Sequence, residues 1–127
     1  MTIDEMQEVL SQLADELPEG FFRELNGGII IVPEIKYHPQ AYGQNLFIMG
    51  EYVTDTFMGR QIKIYYGSFE QVHRHTSPEV YRDALRATLR HEFRHHVEGL
   101  SRLMDLELED KRQIERYLSH GAKDAEK

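Results

Sequence analysis

His91 and His95 stand four residues apart with Glu92 between them, in the run HEFRH, which has the pattern HExxH. On an α-helix, positions four apart differ by about 40° in direction and about 6 Å in height, so two imidazoles at this spacing can converge on a single ion. Glu92 lies about 100° around the helix from His91, too far for a natural third ligand but suitable for a hydrogen bond to a metal-bound water. The spacing predicts one Zn²⁺ per chain, held by His91 and His95, with Glu92 as general base.

This arrangement predicts peptide-bond hydrolysis by a metal-activated water. Zinc lowers the pKa of its water towards about 7, Glu92 takes the proton, and the resulting hydroxide attacks a carbonyl that the same metal polarises. The predicted protein is therefore a zinc metallopeptidase. Two His and one carboxylate also suit other divalent ions, including Fe²⁺, but the HExxH arrangement favours zinc.

Three other interpretations remain open. The motif can be a solvated basic helix face stabilised by Glu–Arg pairs, such as Arg94 with Glu98. The protein can be a non-catalytic binding or regulatory module stabilised by the metal, which suits a chain of 127 residues that has no second lobe to form a deep cleft. It can also be a zinc hydrolase acting on a non-peptide bond. Glu92 favours an enzyme, because a structural zinc site needs no base and usually closes all four positions with protein ligands.

The helix that must hold the motif begins at Ser77, a typical N-cap, with Pro78 at the first helical position. Apolar residues then recur every four positions and predict one buried stripe: Leu85, Leu89, Phe93 and Val97. Gly99 is a plausible stop, although the pattern can continue one turn further. We therefore expect His91 and His95 on a well-capped amphipathic helix.

The elements upstream of this helix predict an α+β fold. A capping box of Thr2 and Glu5 starts an amphipathic helix that ends near Leu17. Apolar runs at residues 29–32, 46–49 and 61–66 predict strands. The run at 29–32 is continuously hydrophobic, which is typical of a strand covered on both faces, whereas 61–66 alternates and predicts one wetter face.

The remaining segments complete a single domain. Residues 34–44 and 50–60 are polar and punctuated by Gly or Pro, so we interpret them as loops or hairpin connections. A last helix is expected over residues 106–118, and residues 121–127 should fray. The sequence therefore predicts one domain over residues 1–120, consisting of a small sheet, an N-terminal helix, the HExxH helix and a C-terminal helix.

Composition restricts the ligands and partners. Lys and Arg number 15 and Asp and Glu 22, which gives a net charge of −7, so neither nucleic acid nor an acidic membrane surface is an expected partner. There is no cysteine, so any metal must be held by His, Asp and Glu. The acidic N-terminal sequence lacks a basic signal-peptide region, which favours a cytoplasmic protein. The expected partner is a peptide or protein substrate, and the oligomeric state is left open.

At the motif, the sequence resembles a known family. The run LRHEFRHH, with LNGG and YYGSF upstream and LELED downstream, is similar to the small bacterial metallopeptidase-like proteins called minimal zincins. The resemblance covers the chain from about Leu17 to Leu118 and implies a compact zincin core. In zincins, the strand that borders the cleft aligns an extended peptide. By order and position, that strand would be residues 60–69, with Tyr65 or Tyr66 facing the cleft.

The third metal ligand departs from the family pattern. Minimal zincins of the shorter form read HExxHxxGxxD, whereas Glu98 and Ser101 occupy the last two of these positions here. The ligand must therefore follow later, and the acidic candidates are Asp105, Glu107, Glu109 and Asp110. We rank Asp110 slightly above Asp105, because Asp110 has the longer return path along the chain and precedes a local capping pattern. A candidate that is not a ligand is expected to cap a helix.

Other polar residues have weaker assignments. His96 points about 100° away from His95 and is expected beneath the site or at the surface rather than on the metal. His73 and His75 have strand-like spacing and can reach a metal, but a solvated loop is the preferred interpretation. Four tyrosines can each donate a hydrogen bond to an oxyanion, although core packing is the commoner role: Tyr65, Tyr66, Tyr81 and Tyr117.

Overall fold

The computed structural model describes residues 1–40, 46–103 and 116–117. The helices are α1 (Ile3–Ala14), α2 (Glu19–Phe22), α3 (Tyr66–His73) and α4 (Pro78–Leu103). The strands are β1 (Gly28–Val32), β2 (Lys36–Tyr37), β3 (Phe47–Ile48), β4 (Gly50–Asp55) and β5 (Gly59–Tyr65). The fold is α+β, as the sequence predicts. Of the predicted C-terminal helix, the structure describes Arg116 and Tyr117 as helical; the other residues of 106–118, and the tail 121–127, lie outside the described residues.

The main sheet has three strands in the order β1-β5-β4. β5 is the central strand and is parallel to β1 and antiparallel to β4. Ile62 and Ile64 of β5 are fully buried, and their partners across β4 are Tyr52 and Gly50. Because alternate residues of a strand point to the same side, these four positions share the face of the sheet that packs against α4. The predicted strand at 61–66 is confirmed, with β5 ending one residue earlier.

The expectation of a loop over residues 50–60 is wrong. Residues Gly50 to Asp55 form β4, which pairs with β5 through a turn at residues 56–58. The glycines at both ends of this segment obscured a strand that antiparallel pairing stabilises. The predicted strand at 46–49 shortens to β3, which pairs with β2 as a separate two-stranded sheet rather than joining the main sheet.

Helices α1 and α4 cover the core face of the sheet. The capping box of α1 forms as predicted, since the Thr2 side chain accepts from the Glu5 amide and the Glu5 carboxylate accepts from the Thr2 amide. The predicted apolar stripe of α4 is fully buried, with each residue no more than 1% exposed: Leu85, Leu89, Phe93 and Val97. Gly99 does not end α4, which continues to Leu103. The motif therefore lies well inside a long helix.

Strand β1 is less covered than its sequence predicts. All five of its residues are half-buried, although Ile29 and Ile31 pack against the core. The reason is topological, because β1 is an edge strand of the main sheet and pairs only with β5 among the described residues. Within that same part of the chain, no helix is both long enough and apolar enough to cross a membrane.

Candidate functional site

The two histidines of the motif converge as their spacing predicts. Ser77 caps α4 through a hydrogen bond from the Val80 amide to its hydroxyl, and the helix then runs unbroken through the motif. Both imidazoles are exposed. Their Nε2 atoms lie 3.3 Å apart, and their ring planes are nearly perpendicular, at 86°. The site therefore presents two ring nitrogens to one point at the protein surface.

This distance fits a shared metal ion. Two ligand atoms about 2.0–2.1 Å from a zinc ion, separated by the tetrahedral angle, lie about 3.3–3.4 Å from each other. The observed Nε2–Nε2 distance of 3.3 Å agrees with this value. It also allows an N–H···N hydrogen bond between the two rings, with roles that depend on the tautomers.

The Glu92 side chain occupies a more protected position than its neighbours. It is only 8% exposed, although His91 beside it is exposed. Burial raises the pKa of the Glu92 carboxyl, while the two nearby imidazoles and a hydrogen bond from the backbone N–H of Tyr52 act in the opposite direction. A carboxyl in a largely dry setting next to a pair of histidines is placed to accept a proton near neutral pH.

Strand β4 approaches the motif helix at Gly50. A Cβ atom at this position would lie 2.8 Å from Cγ2 of Thr88 and 3.4 Å from Cγ of Glu92. A glycine therefore lets the strand pack close against the helix surface that bears Glu92. Two residues further on, the backbone N–H of Tyr52 lies near the Glu92 carboxyl and acts to lower its pKa. Gly50 and Tyr52 of β4 thus both lie close to the predicted base.

His96 lies in the core below the same strand and hydrogen-bonds to it. It is fully buried, its Nε2 lies 2.9 Å from the Phe21 carbonyl oxygen, and its Nδ1 lies 3.0 Å from the Tyr52 hydroxyl. A carbonyl can only accept, so Nε2 carries the proton and Nδ1 accepts from Tyr52. Burial lowers the pKa of His96, which favours this neutral form. Both ring nitrogens are engaged, so His96 is not a metal ligand here, in agreement with the sequence interpretation.

No third ligand for the predicted ion is found among the described residues. In that part of the chain, no group of three His, Asp or Glu side chains has an arrangement that could hold a metal ion. The predicted candidates Asp105 and Asp110, with Glu107 and Glu109, lie outside it. The described structure resumes at Arg116 and Tyr117, and the Tyr117 ring packs edge-on against Phe93, with a centroid distance of 5.6 Å.

The other predicted histidines and tyrosines lie in the core or on other surfaces. His73 ends α3 and packs against Phe69 and Tyr81, with ring centroids 5.9 Å apart in both pairs, while His75 is exposed. Tyr65 donates a hydrogen bond to Glu51 on the sheet face away from α4. Tyr66 donates to the Met1 carbonyl and Tyr81 to Glu70. None of these contacts involves the histidine pair. The predicted Arg94–Glu98 helix pair is confirmed, with Arg94 Nε 2.9 Å from Glu98 Oε1.

The strand expected to border the cleft is also corrected. Residues 60–69 comprise most of β5, which is the central strand, and the start of α3. A central strand has both edges paired and offers no open edge for a substrate. The strand that contacts Glu92 is β4, at the edge of the sheet. The sequence analysis did not predict roles for Gly50 and Tyr52, because both fall in the supposed loop. The β-forming run Tyr-Val-Thr between Gly50 and Gly59 is the sequence feature that indicates a strand here.

The fold and this site together define an α+β domain in which one long capped helix presents two histidines beside an edge strand. A conserved hypothetical protein from Thermus thermophilus has a similar structure, with a TM-score of 0.67 and 32% sequence identity. The similarity covers 79% of this chain and 97% of that chain. The chain therefore belongs to the same family as this protein, whose name states no activity. No protein-family model matches the chain, and no curated protein matches it.

The close approach at Gly50 yields a steric prediction. Gly50→Ala should destabilise the protein by about 1–3 kcal/mol, because the new methyl group overpacks the contact with Thr88. Thr88→Ser removes the Cγ2 atom that the methyl meets, so the double variant should recover part of the loss. Urea unfolding of the four proteins gives the coupling free energy. Strictly additive losses would show that β4 does not lie this close to α4.

The environment of His73 predicts a pH dependence of stability. Burial lowers the pKa of His73, and its Nδ1 is buried without a hydrogen-bond partner. Tyr81 packs against its ring and donates its own hydrogen bond to Glu70. Below about pH 6.5 the unfolded chain binds a proton that folded His73 resists, so the free energy of unfolding should fall as the pH is lowered. His73→Phe retains an aromatic ring and removes the proton site. Urea unfolding at about pH 7.5 and about pH 5.5 should show a smaller loss for the variant; equal losses would contradict the assignment.

Proposed function

We propose that the protein is a zinc-dependent metallopeptidase of the minimal-zincin kind. In this proposal His91 and His95 hold the ion, with Asp110 or Asp105 as the third ligand and Glu92 as the general base. A zinc ion bound there supplies Lewis-acid chemistry at the substrate carbonyl. The observation that carries the proposal is the convergence of two exposed Nε2 atoms to 3.3 Å beside a carboxyl that is only 8% exposed.

The chain's own residues can accept and return the proton that hydrolysis transfers. Burial raises the pKa of Glu92, which brings its proton affinity closer to that needed at neutral pH. The nearby Tyr52 N–H favours the ionised carboxylate, and a carboxylate has two oxygens, so acceptor capacity remains for the proton of an attacking water. Glu92 can later return that proton to the leaving amine.

A peptide substrate suits the surroundings of the site better than other classes. β4 is an edge strand of the main sheet within the described residues, and an extended peptide can add to such an edge through main-chain hydrogen bonds. Its contacts with Glu92 bring a peptide bound along it close to the base. The net charge of −7 disfavours a nucleic acid in the same place.

The proposal predicts that substituting the histidine ligands affects zinc binding, whereas substituting the general base affects the rate of cleavage. After loading with zinc and desalting, elemental analysis should find about one ion per chain in the wild type and a large loss in the His91→Ala/His95→Ala variant. Glu92→Gln should keep the ion and lose about 100-fold or more in the rate of cleavage of a fluorescence-quenched peptide library, because it cannot accept a proton.

Two matched variants separate these effects from general damage. His75→Ala removes an exposed histidine outside the site and should keep the zinc, and Glu98→Gln makes the same change as Glu92→Gln on the same helix and should keep the rate. Zinc retained by the double histidine variant would refute the site. Stoichiometric zinc with no cleavage in any protein would refute the peptidase and favour a metal that only stabilises a binding module.

A further inference from the structure

A second concave feature lies at the opposite edge of the sheet from the histidine pair. A groove of about 510 Å³ separates α1 from β1, which is within the roughly 300–1,000 Å³ typical of ligand sites. Ile29 and Ile31 of β1 and Phe22 form one side. One stripe of α1 forms the other: Ile3, Gln7, Leu10, Ser11 and Ala14. The groove therefore offers apolar side chains together with about as much polar surface, and it runs beside a strand.

The strand that borders this groove has an unused edge. β1 pairs with β5 on one side, and in the described part of the chain no ladder of hydrogen bonds joins its other edge to another strand. Its sequence, Gly-Ile-Ile-Ile-Val, is nevertheless apolar throughout and is only half-buried. Exposed apolar edge strands favour uncontrolled association, and proteins usually cover or charge them. Among the described residues, no strand covers this edge, and β1 itself carries no charge.

Acidic side chains border the groove along α1. Gln7 and Ser11, which line the groove, also line a shallower depression with Asp4, Glu8 and Asp15. These three carboxylates are exposed, and no salt bridge engages them within the described residues. The groove is thus bordered on its helical side by a row of exposed carboxylates, which forms an acidic shoulder.

We propose that this groove binds an extended basic segment of a partner protein, which adds to the open edge of β1 as a further strand. Such a segment would hydrogen-bond β1 through its main chain and place alternate apolar side chains between Ile29, Ile31 and α1. Lys or Arg residues at its ends would face the carboxylates of Asp4, Glu8 and Asp15. A helix beside an open strand edge is an arrangement suited to this mode of peptide recognition.

Charge argues against a second copy of this chain as the occupant. The chain carries −7, and pairing two copies edge to edge along β1 would bring two acidic α1 shoulders towards each other. Like charges placed together at an interface oppose binding, whereas a basic segment complements the shoulder. The groove and the histidine pair lie at opposite edges of the sheet, β1 and β4, so this site does not depend on the proposed peptidase activity.

The test uses the full chain and three labelled peptides. The first has alternating Leu and Thr with two Lys at each end, the second replaces Lys by Glu, and the third is the first with N-methyl groups on alternate amides. Fluorescence anisotropy should show that the Lys peptide binds at least about tenfold tighter than either of the others. Amide resonances of Gly28–Val32 should shift in ¹⁵N NMR spectra when it binds.

A charge variant localises the binding. Ser11→Lys places a positive charge at an exposed position of the groove and should weaken the Lys peptide about tenfold, whereas Ser101→Lys, the same change at an exposed position of α4, should not. Absence of binding at about 1 mM peptide, or equal binding of the N-methylated peptide, would overturn the proposal. A dimer in sedimentation equilibrium that Ser11→Lys dissociates would overturn it in favour of a second copy.

Discussion

The packing of β4 against α4 is the contact on which the candidate site depends. At Gly50 the strand comes so close to the helix that a single methyl group would clash with Thr88. Two residues later, the backbone of Tyr52 reaches the Glu92 carboxyl. An exposed glutamate on an isolated helix would be solvated and mobile, whereas this one is only 8% exposed because a strand lies against it. Its raised pKa follows from the same burial.

His96 connects this contact to the rest of the core. One ring nitrogen bonds the Phe21 carbonyl at the end of the short helix α2, and the other bonds the Tyr52 hydroxyl on β4. A buried polar side chain is costly unless both of its nitrogens are satisfied, and here each has a partner. The consecutive residues His95 and His96 therefore have opposite environments. The His95 ring is exposed beside His91, and the His96 ring is buried in the core, where it joins α2 to β4.

The two edges of the sheet differ in the side chains that lie beside them. β4 packs against α4 and lies close to Glu92, so its edge is beside the proposed general base. β1 is backed by α1 across an open groove, with apolar side chains and no titratable group on the strand itself. The topology β1-β5-β4 keeps these surfaces apart on the two sides of the central strand. The proposed catalytic site and the proposed peptide site therefore lie on different edges of one small domain.

Local pattern alone determined the two long helices, α1 and α4, whereas the short helices α2 and α3 were not predicted from it. The capping box of α1, the Ser77 cap, the buried stripe of α4 and the convergence of His91 with His95 all follow from spacing along a single helix, because the 3.6-residue period is a local property. Tertiary structure decided the rest. The sequence did not predict β4, because its strand character comes from pairing with β5. The burial of Glu92, the need for a glycine at position 50 and the partial exposure of β1 also depend on which elements become neighbours. Those relations join residues far apart in the chain, such as Tyr52 and His96, and no local pattern specifies them.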